Sequence, residues 1–160
     1  MNKKMKKSAL LDTNIILRFL LKDDPQLFQA VEPLFLQVEQ GDLEIYIHPI
    51  IIAELIWTLE SYYEYSKKKI AEVMLQLVEA KGVVVPDKEI IIGAIQDYKE
   101  KNVDFIDAYL VQYANKQGPL TIHTLDKKHF SRLNGDIEVL LSDSKWVLYL
   151  VENAKERPHN

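Results

Sequence analysis

Short apolar runs alternate with longer amphipathic ones along nearly the whole chain, and this alternation limits the possible folds more than any other feature. The runs at 8–11, 44–48, 83–85, 120–124 and 137–141 have the length and character of buried strands. Between them, 25–40, 49–64, 66–80, 88–101 and 104–116 mostly carry apolar residues recurring at three and four with a polar stripe opposite, which predicts helices. Gly41, Gly82 and Gly118 stand where three of those helices should stop. Parallel strands need crossover connections, and helices are the usual ones. The pattern therefore predicts an α/β fold, a three-layer α/β/α sandwich around a mainly parallel sheet of about five strands.

No Gly/Ser linker, low-complexity tract or repeat divides the 160 residues, a length suited to one domain. Residues 1–141 are expected to form it, with 142–160 a terminal helix and tail packed on the same body through Trp146, Leu150, Val147 and Val151. The chain has no cysteine, so a metal site must use oxygen or imidazole. Asp12, Asn14 and Arg18 interrupt the apolar stretch behind the basic N-terminus, which argues against a secretory signal or a membrane span. A cytoplasmic protein is expected. The formal net charge of -4 excludes bulk electrostatic coating of nucleic acid and leaves room only for local patches. Lys3, Lys4, Lys6 and Lys7, then Lys67, Lys68 and Lys69, then Lys127 and Lys128 form three such clusters. Each by itself reads as solvated lysine on a helix face or a terminus.

In an open parallel sheet, ligands collect beyond the carboxyl ends of the strands. Asp12 directly follows the first apolar run, and Asp126 follows the fourth. Singly, each is explained as a helix N-cap. Glu54 lies in the first turns of the helix after the second strand, at helical spacing from Thr58 and Ser61. Asp104 and Asp107 open a helix three residues apart, able to face one pocket. Together, these stretches bring carboxylates to places that the sheet draws together. Such a cluster repels itself unless a hard divalent cation such as Mg²⁺ or Mn²⁺ neutralises it. Removing one acid, as in Asp12→Asn or Asp126→Asn, is thus expected to stabilise the metal-free chain. A bound cation would polarise a phosphoryl oxygen and activate water, so phosphodiester hydrolysis follows chemically.

The stretches LLDTNIIL, HPIIIAELIWTL, VDFIDAYLVQYA and TIHTLDKKHF, which span residues 10–130, resemble PIN-domain ribonucleases, particularly the toxin subunits of bacterial and archaeal toxin–antitoxin pairs. The D-T-N after an apolar strand and the closing T-x-D-x-x-x-F are fairly specific together. The resemblance implies catalytic acids at Asp12, Glu54, Asp107 and Asp126, of which Asp12, Asp107 and Asp126 would bind metal and Glu54 would do so directly or through water. It implies hydrogen-bonding support from Thr13, Asn14 and Thr124, with Asp104 an additional acid. It further implies an RNA substrate, an antitoxin protein and a homodimer. His123 and His129 flank the last motif, but metal-bound hydroxide needs no histidine base, and neither is expected to be catalytic. The alternatives are a housekeeping RNA-processing nuclease, a Mg²⁺-binding module without activity, and an aspartate-nucleophile phosphatase. Asn14 disfavours the last, because that chemistry pairs the nucleophile with an acid two residues on. The five glycines are too scattered for a phosphate-cradling loop.

Overall fold

The computed structural model describes residues 7–140, so the expected terminal helix at 142–156 lies outside the described residues. In chain order the elements are β1 (Lys7–Leu10), α1 (Thr13–Leu21), α2 (Pro25–Glu39), β2 (Leu43–Tyr46), α3 (Pro49–Ser61), α4 (Lys67–Glu79), β3 (Val83–Val84), α5 (Lys88–Glu100), α6 (Phe105–Gln117), β4 (Ile122–Thr124), α7 (Lys127–Phe130) and β5 (Ile137–Val139). The five expected strands and five expected helices are therefore present, with ends shifted by up to three residues.

All strand pairs are parallel, as the crossover pattern requires. β1 pairs with β2, with Lys7 opposite Leu43, and β2 pairs with β3, with Ile45 opposite Val83. β4 pairs with β5, with Ile122 opposite Ile137. The expected parallel direction is met. Among the described residues, however, the ladders form a three-stranded sheet, β1-β2-β3, and a separate two-stranded one, β4-β5. The strands are two to four residues long, so each ladder has few rungs and packing carries most of the cohesion.

That packing centres on Ile16, Ile45, Ile47, Ile52, Leu55, Met74, Val78, Ile91, Ile95 and Tyr98, drawn from α1, α3, α4, α5 and β2 with the residue just after it, all fully buried. Helix starts follow local capping chemistry. Asp12, Asp24, Ser66, Asp104 and Asp126 each accept a backbone N–H of the first turn of α1, α2, α4, α6 and α7. The turn from α4 into β3 depends on Gly82, whose φ is +85°. A Cβ there would lie 2.7 Å from Val38 Cγ1, so only glycine lets β3 settle beside β2.

Candidate functional site

Two of the four expected acids meet through a histidine. Asp107 sits in the first turn of α6 and Asp126 caps α7. His129 Nδ1 lies 3.0 Å from Asp107 Oδ2 and 3.2 Å from Asp126 Oδ2. With both carboxylates ionised, that nitrogen donates to them. One ligand atom from each of Asp107, Asp126 and His129 falls within 4.8 Å of the others, a spacing that a cation could bridge. Carboxylates at that spacing suit a hard divalent cation, and the imidazole is tolerated better by Mn²⁺ than by Mg²⁺.

The two carboxylates are held differently. Burial pushes Asp107 above the ordinary carboxylate range, and the neighbouring charges of Asp104 and Asp126 add to the rise, against the hydrogen bond from His129. Asp126 lies below that range, chiefly because the His129 backbone N–H donates to it. That bond is 3.0 Å long. Thr124 Oγ1 accepts the Asp126 N–H at 3.0 Å and so fixes the turn that aims the carboxylate.

Asp12 and Glu54 stand outside the 4.8 Å group. Asp12 caps α1, with Oδ1 3.0 Å from the Ile15 N–H, and its other oxygen is not used by that bond. The next residue, buried Thr13, donates its hydroxyl to Glu54 Oε2 and ties α1 to α3. Asp12 borders a cavity of about 350 Å³ lined also by Leu10, Leu11, His48, Ile50 and Ile51. A larger groove of about 520 Å³, lined by Phe19, Phe28 and Phe35, contains none of the four acids, so size alone does not locate the chemistry. Asn14 is exposed, and Asp104 is the cap of α6, accepting the Ile106 N–H at 2.8 Å.

The profile of the PIN domain family matches residues 9–136. The chain belongs to the PIN domain family. Among curated proteins it is similar to a VapC ribonuclease of Aquifex aeolicus (strain VF5), 28% identical over 109 residues that cover 68% of this chain and 80% of that one. PIN domains in general use divalent metal, and the acidic group here is one that fits it. His129 stands beside Asp107, a contact that its place in the sequence does not reveal. Its signal was a position three residues beyond an N-capping aspartate, but the partner that gives it meaning, Asp107, is 22 residues away. His123, by contrast, is an exposed strand residue with Glu138 across the ladder at 3.5 Å. Lys67 is not a solvated lysine of its cluster, because its ammonium binds the Val103 carbonyl at 2.6 Å.

Proposed function

We propose that this PIN domain is a metal-dependent endoribonuclease and the toxin of a toxin–antitoxin pair. The observation that carries the reading is the pair Asp107 and Asp126 on the first turn of α6 and the cap of α7, near enough for one cation. The relative's printed name, a VapC ribonuclease, supports RNA as the substrate. Asp107 and Asp126 would hold Mg²⁺ or Mn²⁺, with Asp12 and Glu54 contributing directly or through water. When bound, the cation supplies Lewis acidity toward a phosphoryl oxygen and lowers the pKa of water.

The chain's own groups prepare that event. Thr13 fixes the Glu54 carboxylate by donating to one of its oxygens, which keeps the other oriented. Asp12 is held by its cap bond at the edge of the cavity that it lines with His48 and Ile50. The His129 ring, 3.0 Å from Asp107 and 3.2 Å from Asp126, holds the two carboxylates in register. Single-stranded or looped RNA fits best, because the scissile phosphate must reach strand-end carboxylates with its bases splayed.

Large apolar side chains are exposed on α3 and α6: Ile50 and Trp57 are each 69% exposed and Ile106 is 48%. A homodimer or an antitoxin helix would cover such surface. No helix among the described residues is long and apolar enough to cross a membrane. The deciding experiment is cleavage of an unstructured RNA by purified protein with chelator, Mg²⁺ or Mn²⁺, alongside Asp107→Asn. Cleavage should need the cation and fall by at least about 100-fold in the variant, the scale of losing one electrostatic contact made in the transition state. Cation binding with no cleavage of any RNA would favour a non-catalytic module. Cleavage in chelator would reject the metal reading.

A further inference from the structure

The segment that leads into α6 is gripped at two consecutive carbonyls. Arg132 Nη1 donates to the Asn102 carbonyl at 2.9 Å, and Lys67 Nζ donates to the Val103 carbonyl at 2.6 Å. The next residue is Asp104, the cap of α6, and Asp107 follows within the first turn. Asn102 has a φ of +50°, a left-handed conformation that sets the direction of the chain into the helix.

Both cations are themselves anchored. Lys67, at the first position of α4, lies 3.8 Å from Glu60 Oε1 and 4.4 Å from the centre of the Tyr98 ring. Tyr98 is fully buried and donates its hydroxyl to Glu60 Oε2 at 3.0 Å. Arg132 follows directly on the turn that carries Asp126 and His129, and its own N–H bonds the His129 carbonyl at 3.0 Å. Phe130 and Leu133, both buried, pin that turn to the core. Arg132 therefore connects the backbone behind Asp126 with the backbone ahead of Asp107.

We infer that Arg132 and Lys67 are positioning residues, which set the separation of Asp107 and Asp126 by fixing where α6 begins. The inference rests on the proposed reading of those two acids as the metal site. Neither cation touches substrate or metal in this role. A purely electrostatic role makes the opposite prediction, since removing a positive charge near carboxylates should tighten their hold on a cation.

The test uses the full chain with Arg132→Met, which removes an exposed guanidinium and leaves the core untouched, and Lys67→Met as a second variant. Calorimetric titration with Mn²⁺ should show affinity weakened about tenfold in Arg132→Met, the low end of the effect of groups that orient metal ligands, with circular dichroism unchanged. Unchanged or tighter Mn²⁺ binding overturns the inference, and so does a variant that loses RNA affinity alone, which would make Arg132 an RNA contact. A second readout needs no metal. In chelator at fixed pH, the His129 ring resonances should move in Arg132→Met because Asp107 shifts relative to Asp126, and a ring that does not move rejects the role. If wild type takes up no Mn²⁺ while the ring does move, the metal reading fails and the positioning role stands.

Discussion

Asp107 and Asp126 share one histidine, but the fold treats their charges in opposite ways. Asp107 is raised by burial, so the folded chain favours its protonated form. Its contribution to stability is present below the ordinary carboxylate value and is lost as pH rises through the raised one. Asp126 is lowered by the His129 backbone N–H, so its contribution is present above the ordinary value and is lost as pH falls through the lowered one. In chelator near neutral pH, Asp107→Asn should therefore raise the melting temperature and Asp126→Asn should lower it. Shifts of the same sign in thermal unfolding would contradict this account. Mutual repulsion alone, the argument available from sequence, has removal of either acid stabilising the metal-free chain. For Asp126 we expect the opposite sign, because the His129 backbone N–H bond favours the ionised carboxylate over a neutral amide. Asp12, Asp107 and Asp126 stand out in the sequence because each sits at a helix start, whereas Glu54 lies in the second turn of α3. Their grouping into Asp107 with Asp126, and Thr13 with Glu54, was not legible, because it depends on contacts between residues 19 and 41 positions apart. The clamp at Asn102 and Val103 was illegible for the same reason: backbone carbonyls leave no mark in a sequence.

At the scale of single elements, α6 separates a capping acid from one that faces His129 within one turn. Asp104 accepts the Ile106 N–H, whereas Asp107 faces His129, so acids three residues apart do different work. Asn caps a helix about as well as Asp, so Asp104→Asn should keep stability within about 0.5 kcal/mol and cleavage within a few-fold. Asp104→Ala should cost about 1 kcal/mol through loss of the cap. Melting curves and initial rates for these variants beside Asp107→Asn measure both roles, and equal loss of cleavage in Asp104→Asn and Asp107→Asn would mean that the two acids act jointly. The elements themselves were readable from periodicity. Pro25 and Pro49 begin α2 and α3, and Gly41 and Gly82 follow α2 and α4, where the sequence rules put them. The division between β3-side and β4-side ladders was not readable, since the same apolar runs serve a continuous sheet or two short ones.

For the whole molecule, a cation held by the acidic group would tie metal binding to folding. The charged form of Asp107 is disfavoured by burial and by two neighbouring carboxylates, and a cation that binds only the folded chain removes that penalty. A ligand of this kind adds RT ln(1 + [L]/Kd), so filling the site at about ten times Kd contributes roughly 1.4 kcal/mol. For a chain of 160 residues this corresponds to a rise in Tm of roughly 3 to 6 °C. Mg²⁺ and Mn²⁺ should both produce the rise, and Mn²⁺ should do so at lower concentration because His129 lies within the donor group. Asp107→Asn should start from a higher Tm in chelator and gain little from either cation, so the wild-type and variant curves should converge as metal is added. Thermal unfolding at matched ionic strength removes general screening from the comparison. Identical metal responses in wild type and Asp107→Asn would place the cation elsewhere, and the α6–α7 pairing would then be a capping arrangement alone.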